Sequence, residues 1–372
     1  MNALLAFLSH DWAGLAIAIV LAVAAFWARR STRAWARWSA WCLGGIALAI
    51  AVGSTYHVVH LAGVHRQWPP PGRLVDMGGY RIHVLAEGPA NGRASVLWMP
   101  GAHETGYAFY HLHAALKGEA HSILIDRPGT GWSDPGPFPR TTQLETREII
   151  SALAKAGERG PFVLVGHSFG GLLMANVARA SPGTTAAVVL LDATPPDAIN
   201  YAPPNPYLGG MRRAAFTNVL AELVGIHHDT WAKLMGEDPD AEARRVGSIV
   251  AQRLGPRFDI MQSVSDSSAV GAADYSIFQE LDRGGLGWEN SVYDGELGSI
   301  PVYLVAPVGI SNFEAIAHVM YRDGGASALG PEPAYRERLR VFWDRSRERY
   351  RAVSDNVRRV VAPAGSSHNF PY

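Results

Sequence analysis

The sequence has few of the residues that several classes of protein require. Its 372 residues contain one cysteine, which excludes an internal disulfide framework and any zinc or iron–sulfur site built from several cysteines. The 33 basic side chains are balanced by 33 acidic ones, so nothing in the net charge indicates a nucleic-acid partner bound through its phosphates. Charged residues are only 18% of the chain and hydrophobic residues 48%, which excludes an intrinsically disordered protein.

Charge is absent from two long segments near the N-terminus, Trp12–Ala28 and Trp38–Tyr56. As helices they would be roughly 26 and 28 Å long, close to the thickness of the hydrocarbon core of a bilayer. We therefore predict a transmembrane anchor of two helices over residues 1–57. The alternatives are a buried core hairpin, or a signal peptide followed by a core helix. No Lys or Arg precedes the first apolar segment, which speaks against the signal peptide.

Basic residues near the two segments predict their orientation. The connection between them contains Arg29, Arg30, Arg33 and Arg37, whereas residues 1–11 contain no Lys or Arg. The positive-inside rule then places this connection in the cytoplasm, and both termini on the opposite side of the membrane. The single cysteine, Cys42, falls inside the second segment. The exported part of the chain would therefore contain no thiol.

Three histidines, His57, His60 and His65, follow the second apolar segment. No carboxylate or cysteine stands beside them in the sequence, so we interpret them as polar residues at the membrane interface, and we expect neither a metal nor another cofactor. The stretch Trp68–Gly72 contains three consecutive prolines and cannot continue a helix. Residues 58–72 are accordingly predicted to be a linker.

The remaining chain has the pattern of an α/β domain. Residues 73–194 alternate short β-type segments with helical patterns, which is typical of a mainly parallel sheet flanked by helices. Residues 195–300 interrupt this alternation with mostly helical patterns, and we predict a helical cap there, including helices over 231–234 and 239–254. Residues 301–372 return to the core pattern. The predicted strands are 73–76, 80–86, 95–99, 122–126, 162–165, 187–191, 301–306 and 357–362.

The clearest local motif is Gly166-His167-Ser168-Phe169-Gly170-Gly171. A G-x-S-x-G match alone is weak evidence, but here an apolar strand precedes it and a helical pattern follows. A strand–turn–helix of this kind is a nucleophile elbow, in which the sharp turn exposes the serine hydroxyl above the sheet. The alternative is an ordinary βα turn that contains a serine. The context favours Ser168 as the nucleophile.

A serine hydroxyl needs a base to remove its proton, and the base needs an acid to orient it. His368 follows the last predicted strand and a turn of small residues, which is the expected position of the base. Asp192 comes directly after the apolar strand 187–191 and is the first candidate for the acid. The common position, the loop after strand 301–306, contains no Asp, and Glu314 there is the second candidate.

The oxyanion of a tetrahedral intermediate needs two backbone N–H donors. Phe169, directly after the serine, is expected to supply one. Ala102, in the loop after strand 95–99, is expected to supply the other, with Gly101 allowing close approach of the backbone. His103 and His167 are the candidate substrate-binding residues. For His103, an exposed polar residue that does not touch substrate is an equal explanation.

Together these segments resemble the serine α/β-hydrolase superfamily over about residues 73–372. The segment Asp126–Asp134 (DRPGTGWSD) is similar to the D-R-x-G-x-G-x-S-D signature of that superfamily, where it shapes the floor of the active site. The resemblance implies an α/β-hydrolase fold with Ser168 as nucleophile, His368 as base and Phe169 as an oxyanion donor. Asp192 matches members that carry the acid after the sixth strand.

The sequence thus predicts a membrane-anchored serine hydrolase that cleaves an ester, most readily a hydrophobic or lipid-derived carboxylester, through an acyl-serine intermediate. A serine at the elbow argues against the haloalkane and epoxide hydrolysis that this superfamily performs with a carboxylate nucleophile. Two alternatives stay open: an acyltransferase with the same triad, and a binding or sensing protein on a hydrolase scaffold. The oligomeric state is not predicted.

Overall fold

A computed structural model describes residues 1–194, 206–227, 255–282, 294–306, 331–363, 366, 368 and 371. Glu314 and the two cap helices predicted over 231–234 and 239–254 lie outside these residues. Within them lie the α/β core and three helices of the region that the sequence predicted to be a cap, and we keep the name cap for that region.

The described residues form a sheet of eight strands. They are β1 (Arg73–Asp76), β2 (Arg81–Glu87), β3 (Ser95–Met99), β4 (Ser122–Ile125), β5 (Phe162–His167), β6 (Thr185–Leu191), β7 (Val302–Ala306) and β8 (Val357–Val361). Their order in the sheet is β1-β2-β4-β3-β5-β6-β7-β8. The first pairings, β1 with β2 and β2 with β4, are antiparallel, and the others are parallel. The prediction of a mainly parallel sheet is therefore confirmed, and each strand begins and ends within two residues of its predicted bounds.

Alternating residues of the central strands build two hydrophobic layers. Leu97 and Met99 pack on one face with residues of two helices, whereas Trp98 packs on the other face. This follows from the two-residue period of a strand, which sends neighbouring side chains to opposite faces. The core helices are α4 (Tyr110–Leu116), α5 (Thr142–Ala156), α6 (Phe169–Ala180) and α10 (Glu332–Ala352), and a short 3₁₀ helix, Gly106–Phe109, precedes α4.

Three helices precede the sheet: α1 (Asn2–Leu8), α2 (Ala13–Arg29) and α3 (Ala34–Gln67). By length and composition α3 can cross a membrane, and most of its apolar stretch is not buried by the rest of the protein. The helices α1 and α2 satisfy the same criterion only together, and a bend of 101° separates them. The described residues therefore contain one candidate span, or two if the bent pair counts as one.

The predicted linker over 58–72 is wrong for its first ten residues, because α3 continues without a break to Gln67. The proline run begins only at Pro69, and nothing before it prevents a helix. The last turns of α3 also bury Leu61 and Val64. Burial of these side chains gives the extension a hydrophobic contact that a solvated linker would not have.

Three helices follow β6 in the described residues: α7 (Pro206–Leu223), α8 (Pro256–Ser263) and α9 (Ser268–Asp282). Of the N-terminal helices, α3 contacts α7 and α1 contacts α9. The Ser54 hydroxyl on α3 donates a hydrogen bond of 2.5 Å to the Leu223 carbonyl. A methyl group at Gly53 would lie 2.0 Å from the Val224 carbonyl oxygen, so only glycine permits this approach of the two backbones. The end of α7 is thus packed directly against the middle of α3.

Candidate active site

Ser168 lies in the sharp turn between β5 and α6. Its backbone is in a strained conformation with φ 52° and ψ −123°, which L-residues rarely adopt. Hydrogen bonds hold the turn from the neighbouring strand: the Ser168 N–H donates to the Leu191 carbonyl at 3.1 Å, and the Thr194 N–H donates to the Ser168 carbonyl at 2.9 Å. A methyl group at Gly170 would lie 2.3 Å from the Met99 carbonyl oxygen. The turn therefore requires its small residues, as the motif predicted.

Asp192 and His368 come together beside this turn. The Nδ1 atom of His368 lies 2.7 Å from Oδ2 of Asp192. Asp192 follows β6 with a positive φ of 39°, and its N–H donates to the Val305 carbonyl of β7 at 2.8 Å. A carboxylate accepts hydrogen bonds, so Nδ1 carries the proton and Nε2 is the nitrogen that can act as a base.

Burial determines the basicity of His368. The residue is 7% exposed, and this burial, which disfavours the charged imidazolium, lowers the pKa of His368 below its ordinary value. The hydrogen bond that Nδ1 donates to the Asp192 carboxylate acts in the opposite direction and limits the fall. The imidazole is consequently neutral at pH 7, which is the state required of a base that accepts a proton.

His167, predicted to bind substrate, has a different place. It is 2% exposed, and its Nε2 atom lies 2.8 Å from the backbone carbonyl oxygen of His368. The two imidazole rings are 4.5 Å apart. The side chain of His167 is therefore buried against the segment that carries His368 and supports its position. No sequence signal distinguishes this arrangement from a contact with substrate.

The loop after β3, predicted to supply an oxyanion donor, is tied to a buried arginine. The guanidinium of Arg127 donates to the Gly101 carbonyl at 2.7 Å and also to the Ala102 carbonyl. In a planar trans peptide the C=O and N–H groups point in opposite directions, so the N–H of Ala102 points away from Arg127. The same guanidinium lies 5.2 Å above the ring of Phe169. Arg127 thus contacts both residues that were predicted to donate to the oxyanion.

The segment Asp126–Asp134 has the structural function that the resemblance implied. The buried carboxylate of Asp126 accepts hydrogen bonds from the Gly106 N–H at 2.7 Å and the Trp132 N–H at 3.1 Å. It also contacts Nδ1 of His83 at 2.8 Å. These bonds connect β2, the segment itself and the 3₁₀ helix, so Asp126 stabilises the loops under the site.

A pocket of about 400 Å³ lies between the loop after β3 and the cap helices α7 and α9. His103 and Glu104 line it from the core, and Asp274 and Phe278 line it from α9. Nδ1 of His103 contacts the Asp274 carboxylate. Desolvation opposes the charged imidazolium, but the carboxylates of Asp274 and Glu104 outweigh it and raise the pKa of His103. Asp274 was not predicted, because its sequence neighbourhood carries no motif.

The histidines after the second apolar segment also differ from their prediction. His57 and His60 lie on α3 beside carboxylates that are distant in sequence, those of Asp11, Glu222 and Asp266. Among the described residues, His57, Glu222 and His227 form one group that could hold a metal ion, and His60, His227 and Asp266 form another. The sequence argument considered only neighbours along the chain and missed these partners.

Comparison with known families identifies the class of protein. The sequence profile described as the alpha/beta hydrolase family matches residues 96–371. The match covers well over half of the chain, so the protein belongs to this family. The part of the predicted resemblance that concerns membership of the α/β-hydrolase superfamily is thereby confirmed.

Individual relatives share only part of the chain. A lipase from Mycobacterium tuberculosis, Lipase LipV, is 38% identical over 111 residues, which is 30% of this chain and 41% of that protein. A putative carbamate hydrolase from Klebsiella pneumoniae is 32% identical over 110 residues, which is 29% of this chain and 41% of that protein. The chain thus spans about two fifths of the length of each of these two relatives.

Solved structures share the fold at low identity. A probable hydrolytic enzyme from Pseudomonas aeruginosa matches with a TM-score of 0.52 and 15% identity, over 80% of this chain and 88% of that chain. A mutant epoxide hydrolase from Bacillus megaterium matches with a TM-score of 0.51 and 13% identity, over 80% of this chain and 93% of that chain. At such identity the likeness concerns the fold alone.

Proposed function

We propose that the protein is a membrane-anchored serine hydrolase that cleaves a hydrophobic carboxylester through an acyl-serine intermediate. The observation that carries the proposal is the 2.7 Å contact between Nδ1 of His368 and Asp192, beside a serine with φ 52° at a strand–turn–helix. This contact holds the imidazole in the tautomer in which Nε2 can accept the serine proton. The strained turn exposes the serine hydroxyl for attack on the substrate.

In the proposed reaction the Oγ atom of Ser168 attacks the ester carbonyl carbon while His368 Nε2 takes the hydroxyl proton. The oxyanion accepts hydrogen bonds from the N–H groups of Phe169 and Ala102. Collapse of this intermediate breaks the carbon–oxygen bond, and His368 gives its proton to the departing alcohol. A water molecule then attacks the acyl-serine with His368 again as base, which releases the acid and restores Ser168.

The preference for an apolar ester rests on the pocket between core and cap. Phe278 and Val270 of α9 and Met211 of α7 form the apolar part of its lining, beside carboxylates that include those of Glu222 and Asp274. Apolar side chains of this kind bind an acyl chain or another hydrophobic group. The partial similarity to a lipase is in keeping with this class of substrate. The proposed partners are therefore a small-molecule or lipid-like ester and the membrane itself.

The proposed anchor is a two-span hairpin, with α3 as one span and the segment ending in α2 as the other. Exposed apolar side chains on both helices support it, including Ile19, Val20, Trp38, Leu48 and Val52. The arginines between the helices support a cytoplasmic connection and an extracytoplasmic catalytic domain.

The topology is tested from both sides of the membrane. A reporter fused at residue 33 should remain cytoplasmic, while external protease should digest the catalytic domain of intact spheroplasts. If external protease does not digest that domain, the orientation of the anchor is the reverse of the one proposed.

The catalytic proposal is tested by labelling the purified full chain with a fluorophosphonate probe, which reacts with activated serines. We expect stoichiometric labelling of the wild type and none in Ser168→Ala. Ser181→Ala, at the far end of α6, is the matched control and should label like the wild type. No labelling of folded wild-type protein would contradict both hydrolysis and acyl transfer by Ser168. Product analysis with an added alcohol acceptor then separates hydrolysis from transfer.

A further inference from the structure

A second polar cluster lies outside the catalytic residues, where α3 meets the cap. His57 on α3 is completely buried and His227, after α7, is 6% exposed. Nδ1 of His57 and Nε2 of His227 are 3.1 Å apart. Oε2 of Glu222 is 3.7 Å from the same Nε2 atom. Two imidazoles and a carboxylate thus converge at a contact between three segments of the chain.

The distances fit one small cation between these atoms. Zinc binds nitrogen and oxygen at about 2.0–2.2 Å with tetrahedral geometry, so two ligand atoms stand about 3.4 Å apart. The observed separations of 3.1 and 3.7 Å lie on either side of this value. All three ligand atoms lie within 4.8 Å of one another. Imidazole ligands also favour zinc-type transition metals over Mg²⁺ and Ca²⁺, which prefer oxygen.

A second observation indicates a ligand at this place. Glu222 is 8% exposed, and its buried Oε2 atom has no hydrogen-bond partner among the described residues. A buried carboxylate oxygen without a donor is costly, and a bound cation would remove the cost. Glu222 and Asp266 also line the pocket between core and cap. The pocket gives a metal ion a path to the cluster, which a fully closed cluster would lack.

Further donors adjoin the three residues. His60 lies one helical turn after His57 on α3, and its Nε2 atom is 3.3 Å from Oδ2 of Asp266. The rings of His60 and His227 are 4.4 Å apart. On the other side, Nε2 of His57 is 3.2 Å from Oδ1 of Asp11. A carboxylate on the distal nitrogen of a histidine ligand is the usual outer partner that fixes the ring and its tautomer.

We propose that His57, Glu222 and His227 bind one divalent ion of the zinc type, and that this ion joins the anchor helix α3 to the cap. Asp11 is the outer partner of His57, and His60 and Asp266 stand beside the ion. The ligands come from α3, from the last turns of α7 and from the segment after it. A bound ion therefore fixes the cap, which lines the pocket, relative to the anchor.

The test uses the full chain in detergent micelles, purified with an affinity tag that contains no histidine. The protein is stripped with EDTA, dialysed and titrated with Co²⁺, whose visible absorption reports coordination by nitrogen and oxygen. We expect one equivalent per chain, displaced by Zn²⁺. His227→Ala and Glu222→Gln should each lower the affinity for Co²⁺ by about a hundredfold or more. Loss of an outer partner alone costs about tenfold to a hundredfold in metal affinity, and loss of a ligand should cost more. His65→Ala, on the exposed face of α3, is the matched control.

Thermal unfolding adds a second readout, which does not depend on the absorption of Co²⁺. Zn²⁺ should raise the melting temperature of the stripped protein, and it should not do so in His227→Ala. The proposal is overturned if the folded wild type binds no Co²⁺ in a saturable way, or if His227→Ala and Glu222→Gln bind like the wild type. Fluorophosphonate labelling of Ser168 is recorded on the same samples, so failure of the hydrolase proposal is seen separately.

Discussion

Nδ1 of His368 and Oδ2 of Asp192 are 2.7 Å apart although 176 positions separate the two residues in the sequence. Their meeting follows from the sheet. β6, β7 and β8 are parallel neighbours, so the segments that leave their carboxyl ends share one edge of the sheet. Asp192 leaves β6 and His368 follows β8 at that edge. The positive φ of Asp192 turns the chain directly after the strand.

Replacement of Asp192 by asparagine should lower kcat by about a thousandfold to ten-thousandfold with little change in KM. The amide can donate to Nδ1, which favours the tautomer in which Nε2 carries the proton and cannot serve as base. Rates are measured with a chromogenic ester, and circular dichroism checks the fold. Asp134→Asn removes a half-buried carboxylate paired with the exposed Arg81 and serves as control. An unchanged rate for Asp192→Asn would remove this residue from the mechanism.

The pH dependence of kcat/KM should reflect the lowered pKa of His368 in the free enzyme. The base must be neutral, and a lowered pKa keeps it neutral further into acid, so the acidic limb should have its midpoint below the ordinary histidine value of about 6.5. Asp192→Asn removes a carboxylate that raises this pKa and should move the midpoint to still lower pH. A midpoint above 6.5 in the wild type would contradict the assignment of His368 as a buried, neutral base.

Local signals were sufficient for the central parts of this site. Ser168 and Asp192 each follow a compact apolar strand, and residues directly after parallel strands lie at the edge of the sheet where ligands bind in such folds. The alternation of short β-type segments with helical patterns likewise indicated the sheet and the bounds of its strands. The prediction of a linker was wrong for residues 58–67. The prolines that end the helix begin only at Pro69, and the residues before them are helical and bury apolar side chains.

The contacts that the sequence did not reveal join segments far apart in the chain. Arg127 binds carbonyls of the loop after β3, His103 contacts Asp274 on α9, and His57 meets Glu222 on α7. Each partner is an ordinary polar residue in its own neighbourhood. Only the packing of the cap and the N-terminal helices on the core brings them together, and one sequence carries no direct signal of such packing.

Arg127→Lys should lower kcat by about tenfold to a hundredfold with the fold preserved. A lysine keeps the positive charge near Glu145 but cannot hold the two carbonyls of Gly101 and Ala102 in the fixed geometry of a guanidinium. The N–H of Ala102 then loses its fixed orientation. Complete loss of one oxyanion donor lowers kcat by about a hundredfold to a thousandfold, so a misplaced donor should cost less.

The matched control for this prediction is Arg81→Lys. Arg81 pairs with Asp134 at an exposed position, where an ion pair contributes little. Steady-state kinetics of both variants are compared with the wild type on the same ester. If both Arg127→Lys and Arg81→Lys have the kcat of the wild type, the guanidinium of Arg127 does not position the loop after β3.

The contact between α3 and the cap predicts a difference between two glycines of one helix. A methyl group at Gly53 would lie 2.0 Å from the Val224 carbonyl oxygen, whereas a methyl group at Gly44 would have no atom within 4 Å. Gly53→Ala should therefore destabilise the protein by about 1–3 kcal/mol through overpacking. Gly44→Ala should be neutral or stabilise the helix by up to about 1 kcal/mol, because alanine is the better helix former. Thermal unfolding in detergent, followed by tryptophan fluorescence, measures both, and equal melting temperatures would mean that α3 and the cap are not in close contact.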